Sequence, residues 1–144
     1  MSFRWSAQAT QTTSAVALSA LLLASASKHF RTPKFYYPVV PEYLCRKDEP
    51  GSRANGPLAV MSREEWIASS GLLEAAAAVG LLIPATRRVA ADATTAMFTA
   101  FLAGHIDALR RAYGPDGTAA ERRIHTVRLP LQVPLVLWSW SLRK

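Results

Sequence analysis

Charge is segregated along this chain, and that segregation most limits how it can fold. The Lys, Arg, Asp and Glu side chains gather mainly in two blocks, Lys28–Glu65 and Arg110–Arg128, with long neutral runs between and around them. Ser6 to Ser27 holds no charge, Trp66 to Ile83 holds only Glu74, Val89 to Leu109 holds Asp92 and Asp107, and Leu129 to Leu142 holds none. A helix that crosses bilayer hydrocarbon needs about 20 predominantly apolar residues. Four runs near that length are hard to bury inside a water-soluble core built from 144 residues. Only 19% of the residues are charged, against roughly a quarter in soluble domains. The mean hydropathy of +0.09 is low for a membrane protein because the two charged blocks offset the apolar runs.

The expected fold is therefore all-α: a single membrane domain over 1–144, an integral membrane four-helix bundle with spans at about 8–27, 65–84, 89–109 and 126–142. The first run follows Arg4 and ends in Ala24-Ser25-Ala26-Ser27, a small-residue pattern of the kind signal peptidases cleave. One flanking charge and the later apolar runs favour an uncleaved span. Lys28 to Arg63 holds Pro33, Pro38, Pro41, Pro50 and Pro57, which oppose regular helix through most of it. Its first half mixes Lys28, Arg31 and Lys34 with Phe35, Tyr36 and Tyr37, a composition suited to the headgroup layer. This aromatic, basic loop is expected to lie on the membrane surface, folded back over the bundle.

Ser62 with Glu65 three residues later is a helix-start signature before the second run. Ala76 and Gly80 have the small-xxx-small spacing that lets helix backbones approach closely. Pro134, lacking an N–H, leaves the Pro130 carbonyl without its helical partner. Asp92 is expected to pair with Arg88 at helical spacing, and Asp107 with Arg110 or Arg111. The +7 net charge raises nucleic-acid binding, but the cations flank apolar runs and form no stripe on an amphipathic helix, so no nucleic-acid partner is expected. The single Cys45 excludes an internal disulfide and any Cys-x-x-Cys motif.

Four spans put both ends of the chain on one side. Five of the seventeen Lys and Arg residues (Arg4, Arg87, Arg88, Arg143 and Lys144) fall there, and the other twelve fall opposite. The positive-inside rule then places the two large loops, with a reduced Cys45, in the cytoplasm and the termini outside.

Three stretches together resemble the DoxX family of small bacterial membrane proteins. They are His29-Phe30-Arg31-Thr32-Pro33-Lys34-Phe35-Tyr36 continuing to Pro38-Val39-Val40-Pro41, then Ser70-Gly71-Leu72-Leu73-Glu74 with Gly80-Leu81-Leu82-Ile83-Pro84-Ala85-Thr86-Arg87-Arg88, then Arg128-Leu129-Pro130-Leu131-Gln132-Val133-Pro134-Leu135-Val136-Leu137-Trp138. The resemblance implies a four-helix membrane bundle in the bacterial inner membrane and little defined chemistry. Some relatives are linked to quinone-dependent sulfur oxidation or to oxidative-stress complexes. Where related sequences tend to carry Pro-Ala-Asn late in the third span, this chain has Ala103-Gly104-His105.

Polar residues within the apolar runs are the candidate site. A mid-span carboxylate such as Glu74 costs about 2.5–3.5 kcal/mol on insertion scales, so it must be protonated, paired or facing a polar cavity. It is read either as a proton or ligand site or as a brace to Arg128, Gln132 or His29. His105 could pair with Glu74, take a proton or hold a quinone carbonyl, or simply be a satisfied interfacial histidine. With four spans the ends of the first and third share a side, so His29, His105, Arg128 and Gln132 are expected to cluster there with Glu74 reaching toward them. No His-x-x-x-His or Glu-x-x-His spacing occurs, and no metal is expected.

No group carries a recognisable catalytic motif, so an enzyme is not the expected reading. The leading expectation is an accessory or scaffold subunit of a larger membrane or redox-linked assembly, with the lipid bilayer and other subunits or further copies as partners and no cofactor. The alternatives are a quinone- or small-molecule-binding redox component, and a minimal transporter or lipid-handling protein. Membrane fractionation checks the base of all three: the chain should stay with membranes through high salt and alkaline washes and leave only with detergent. Release by salt alone contradicts it.

Overall fold

A computed structural model describes residues 6–51 and 55–144. The cations Arg4 and Arg53 in the charge count lie outside the described residues. The described residues form four α-helices, α1 (Ala7–Arg31), α2 (Arg63–Leu82), α3 (Arg87–Ala112) and α4 (Ala119–Ser141), and no β-strand. Two short 3-10 helices, Pro33–Val39 and Glu42–Leu44, follow α1. The helices pack in sequence order, α1 on α2, α2 on α3 and α3 on α4.

Local chemistry sets the boundaries. The Ser6 hydroxyl accepts from the Ala9 amide at 3.0 Å and starts α1. Ser62 and Glu65 form the expected reciprocal cap at 2.7 and 3.2 Å. Thr118 and Glu121 form a second such cap, at 2.8 and 3.2 Å. It starts α4 at Ala119, ahead of the expected start near 126, and takes Glu121, Arg122 and Arg123 into its first turns, where they are exposed. Helix α4 is continuous despite Pro130 and Pro134. Helix α1 runs past Ser27 to Arg31, which brings Ser25 and His29 onto one helical face.

Three of the helices, α1, α2 and α3, are long and apolar enough to cross a membrane. Helix α4 is not among them, since His125, Arg128, Gln132 and two prolines lower the hydropathy of even its apolar second half. The core joins Ala15, Leu18 and Leu22 of α1 to Ala78 and Leu81 of α2, Ala90, Ala91 and Phe98 of α3, and Leu142. Outside this core the bundle exposes Leu72, Leu73, Val79, Ile106, Val133 and Leu137, among other large apolar side chains. A soluble monomer rarely leaves so much apolar surface bare, and hydrocarbon accommodates it without cost.

Close helix approach uses small residues, with a change from expectation. A Cβ added at Gly80 would stand 2.8 Å from Ala90 Cβ on α3, and one at Gly71 would stand 2.9 Å from His29 Cβ on α1. Ala78 is fully buried and its carbonyl accepts from Ser19 at 3.0 Å, whereas Ala76 is exposed. The tight contacts thus involve Gly71, Ala78 and Gly80 rather than the Ala76–Gly80 pair, because Ala76 points away from both neighbouring helices.

One end of the bundle is tied by long-range polar contacts. Arg87 donates from Nε to the Leu81 carbonyl at 2.8 Å and from Nη1 to Thr12 at 3.4 Å. Trp138 Nε1 donates to Ser14 at 2.8 Å, and Gln11 donates to the Lys144 carbonyl. Asp92 pairs with Arg143, not with Arg88 as helical spacing suggested, because α4 returns its last residues beside the start of α3. Asp107 does pair with Arg111, at 2.9 Å. Replacing Gly80 with Val should cost about 1–3 kcal/mol through overpacking against Ala90. In detergent this should lower Tm clearly, while Gly56→Ala, with nothing near its added carbon, should leave it unchanged. Equal Tm values for the two variants contradict this packing.

Candidate functional site

At the other end of the bundle the helices diverge around a cavity of about 310 Å³. His29, Glu74, His105, Arg128 and Gln132 all line it, one or two from each helix. Helical periodicity supplies its remaining walls: Ser25 lies four residues before His29, Ser70 four before Glu74, and Phe98 and Phe101 lie on the His105 face of α3. Leu131 and Leu135 continue the wall on α4, and Phe35, Tyr36, Val39 and Val40 form the roof. The aromatic loop therefore folds back over the bundle and reaches inward as well as across its surface.

Glu74 is 3% exposed, and its ionisable neighbour is His29, with Nδ1 at 3.5 Å from Oε2. That imidazole nitrogen is nearer the Ser25 carbonyl, at 2.8 Å. A carbonyl only accepts, so the Nδ1 proton belongs to Ser25, and Glu74 Oε2 has no hydrogen-bond partner in the protein. Among the described residues five more buried atoms share this condition: Arg63 Nε, His125 Nδ1 and Arg143 Nε elsewhere, and His105 Nδ1 and Gln132 Oε1 on the cavity. Buried polar atoms are nearly always hydrogen-bonded, so three unpartnered ones around a single cavity mark a place built to meet something polar.

The roof is held by side chains that sequence reading had assigned only to the headgroup layer. Tyr36 stacks on His29 at 3.7 Å between ring centroids and 19° between planes. Its hydroxyl sits 3.2 Å from both the Ser25 hydroxyl and the Ser25 carbonyl. Burial pushes the Tyr36 phenol above its usual value, opposed by the Ser25 contact, so it remains a neutral donor. The Phe35 ring meets two cations, Lys28 Nζ at 3.6 Å and the Arg128 guanidinium at 4.7 Å. Arg128 therefore faces Phe35 rather than bracing Glu74. Tyr37 donates to Glu64 at 2.7 Å, and Arg111 donates to the Pro38 carbonyl.

Of the candidate pairings, Glu74 with His29 occurs. No hydrogen bond or ion pair joins Glu74 to His105, Arg128 or Gln132 among the described residues. No group of three His, Cys, Asp or Glu side chains comes together there as a metal site. Cys45 is buried, and its thiol donates to the Pro41 carbonyl at 3.3 Å. Ser25, Tyr36, Phe98 and Phe101 were missed as cavity residues. Spacing from His29 and His105 would have found all but Tyr36, whose position depends on how the loop folds.

A family model described as a domain of unknown function, DUF8561, matches residues 18–143. The chain belongs to the DUF8561 family. No curated protein and no solved structure matches it. The DUF8561 match takes in every residue of the cavity.

Gly104 fixes the seat of the roof, since a Cβ there would collide with the Val39 carbonyl oxygen. Gly104→Ala should displace the Pro33–Val39 segment and speed amide exchange across it by about tenfold or more. Unchanged exchange contradicts the described contact.

Proposed function

We propose that this DUF8561 protein is a multi-pass membrane protein whose cavity binds a small ring-bearing molecule within a redox-linked membrane assembly. On this reading α4 crosses the bilayer too, because it meets α3 from Thr95, at Ser139, to Ala112, at Arg122, and its exposed Val133 and Leu137 face the same apolar medium. The bacterial inner membrane, the cytoplasmic placement of the basic loops and kinship with the DoxX family belong to the same proposal.

The observation that carries it is the set of unpartnered atoms of Glu74, His105 and Gln132 on a cavity otherwise walled by Phe35, Phe98, Phe101, Ile67 and Leu135. A volume near 310 Å³ is at the small end of ligand sites, which run from about 300 to 1,000 Å³. It suits one substituted ring. A quinone fits this residue set: Arg128 and His105 are donors for ring oxygens, and the aromatic side chains offer faces for stacking. Such a group, when bound, supplies two-electron, two-proton redox chemistry. The chain's own part is to bind and orient the ring, exclude water beneath the Phe35–Tyr36 roof, and hold a proton at Glu74 Oε2. His29 is fixed by Ser25 and Tyr36, which keeps its ring edge against that carboxyl.

An accessory role within a larger assembly is compatible with this binding role. A transport path has less support, since Ala15, Leu18, Leu22, Leu81 and Leu142 fill the bundle below the cavity.

Quinone extraction from protein purified in mild detergent, together with binding of an added benzoquinone followed by Tm, tests the proposal. Wild-type protein should be stabilised. Glu74→Gln and Arg128→Leu should each weaken binding by about tenfold or more, the scale of a lost hydrogen bond to a charged group. No stabilisation of wild type, or equal affinity in both variants, overturns it.

A further inference from the structure

Three of the four helix seams are close-packed, and the fourth is not: α1 and α4 make no extensive backbone approach. Side-chain links cross that seam at both ends. Toward the tied end, Trp138 of α4 reaches Ser14 of α1. At the cavity end, Lys28 of α1 and Arg128 of α4 both close on Phe35, so the roof clasps the two helices together. Arg128 and Trp138 bound a stretch of α4 that is roughly 15 Å long at 1.5 Å per residue.

Leu131 and Leu135 lie within that stretch and line the cavity, as Ser25 does on α1. Leu131 is 54% exposed although it is a cavity wall residue, so it stands at a rim and not in the interior. The rim does not lie between α3 and α4, which pack closely, and that leaves the α1–α4 side. The inner pole of the cavity is polar, with Glu74, His105 and Gln132, whereas this rim is aliphatic.

We infer that the cavity opens sideways into the bilayer through a window between α1 and α4, and that its ligand is a membrane-dissolved amphiphile with a ring head inside and a hydrocarbon chain passing out over Leu131. This rests on the ligand-binding reading above and adds the ligand's class and its route. The chain is needed because the cavity holds little more than a ring, and because the headgroup-side path lies under Phe35 and Tyr36. A water-borne ligand would have to part the Lys28–Phe35–Arg128 clasp, whereas one arriving from lipid meets Leu131 and Leu135 on α4 and the small Ser25 on α1. Binding by this route exchanges one apolar medium for another for the tail, so affinity comes from the polar pole and from the tail's confinement to the bilayer.

The test uses full-length protein in phospholipid nanodiscs and two probes, a dimethoxy-methyl-benzoquinone bearing a decyl chain and the same ring with no chain. Both are compared at equal bilayer concentration, with binding read as a shift in Tm. Wild type should bind the chain-bearing ring more tightly. Leu131→Trp, which narrows the window at an exposed position, should weaken the chain-bearing ring at least tenfold more than the chainless one. A diazirine at the end of the decyl chain should label α1 and α4 in wild-type protein, which needs no variant to fold. Labels confined to the 33–44 segment, or equal losses for both rings in Leu131→Trp, overturn the window while leaving the site intact if Glu74→Gln still weakens both rings. Failure of wild type to bind either ring overturns the ligand-binding reading beneath it.

Discussion

A carboxyl group on an otherwise apolar helix is the constraint around which the cavity end of this bundle is arranged. Glu74 sits where water is scarce, and a carboxylate without company there is expensive. Gly71, one turn earlier on α2, lets α1 come close enough for His29 to reach it. Ser25, one turn back on α1, then takes the imidazole proton and fixes the ring. Tyr36 stacks on the far side and bonds to Ser25 in turn. The chain from Gly71 through Glu74, His29, Ser25 and Tyr36 couples two helices and the roof, so a change at one member is felt by the others.

The two ends of the molecule differ in kind. At one, Arg87, Asp92, Ser14 and Trp138 tie helices together with polar contacts around a filled core. At the other, buried polar atoms outnumber their partners and surround space. A structural brace would use its hydrogen bonds on itself, as the tied end does. Leaving Glu74, His105 and Gln132 incompletely bonded has a free-energy cost, and binding a polar head recovers it.

Much of this was legible in the sequence, for reasons that can be traced residue by residue. The segregation of charge located the helices, and the Ser62–Glu65 cap marked one start to the residue. The parity of the helices placed His29, His105, Arg128 and Gln132 at a common end, and Glu74 was marked by its isolation in an apolar run. What failed depended on tertiary returns of the chain. Asp92 has Arg88 at helical spacing, yet Arg143 arrives from the far end of α4. Tyr36 reads as an interfacial ring until the loop folds inward. Ala76 and Ala78 are equivalent by composition, and only the helix packing decides which is buried. The Thr118–Glu121 cap has the same spacing as Ser62–Glu65, but it stands inside the charged block and not directly before an apolar run.

The account depends on hydrocarbon surrounding the outer faces of these helices. Site-directed nitroxides at Leu73, Val79 and Val133, in protein with Cys45 replaced by Ser and reconstituted in lipid, measure this directly. Relaxation by dissolved oxygen should exceed relaxation by a water-soluble nickel chelate at all three positions. Stronger relaxation by the chelate would place these faces in water and contradict the account.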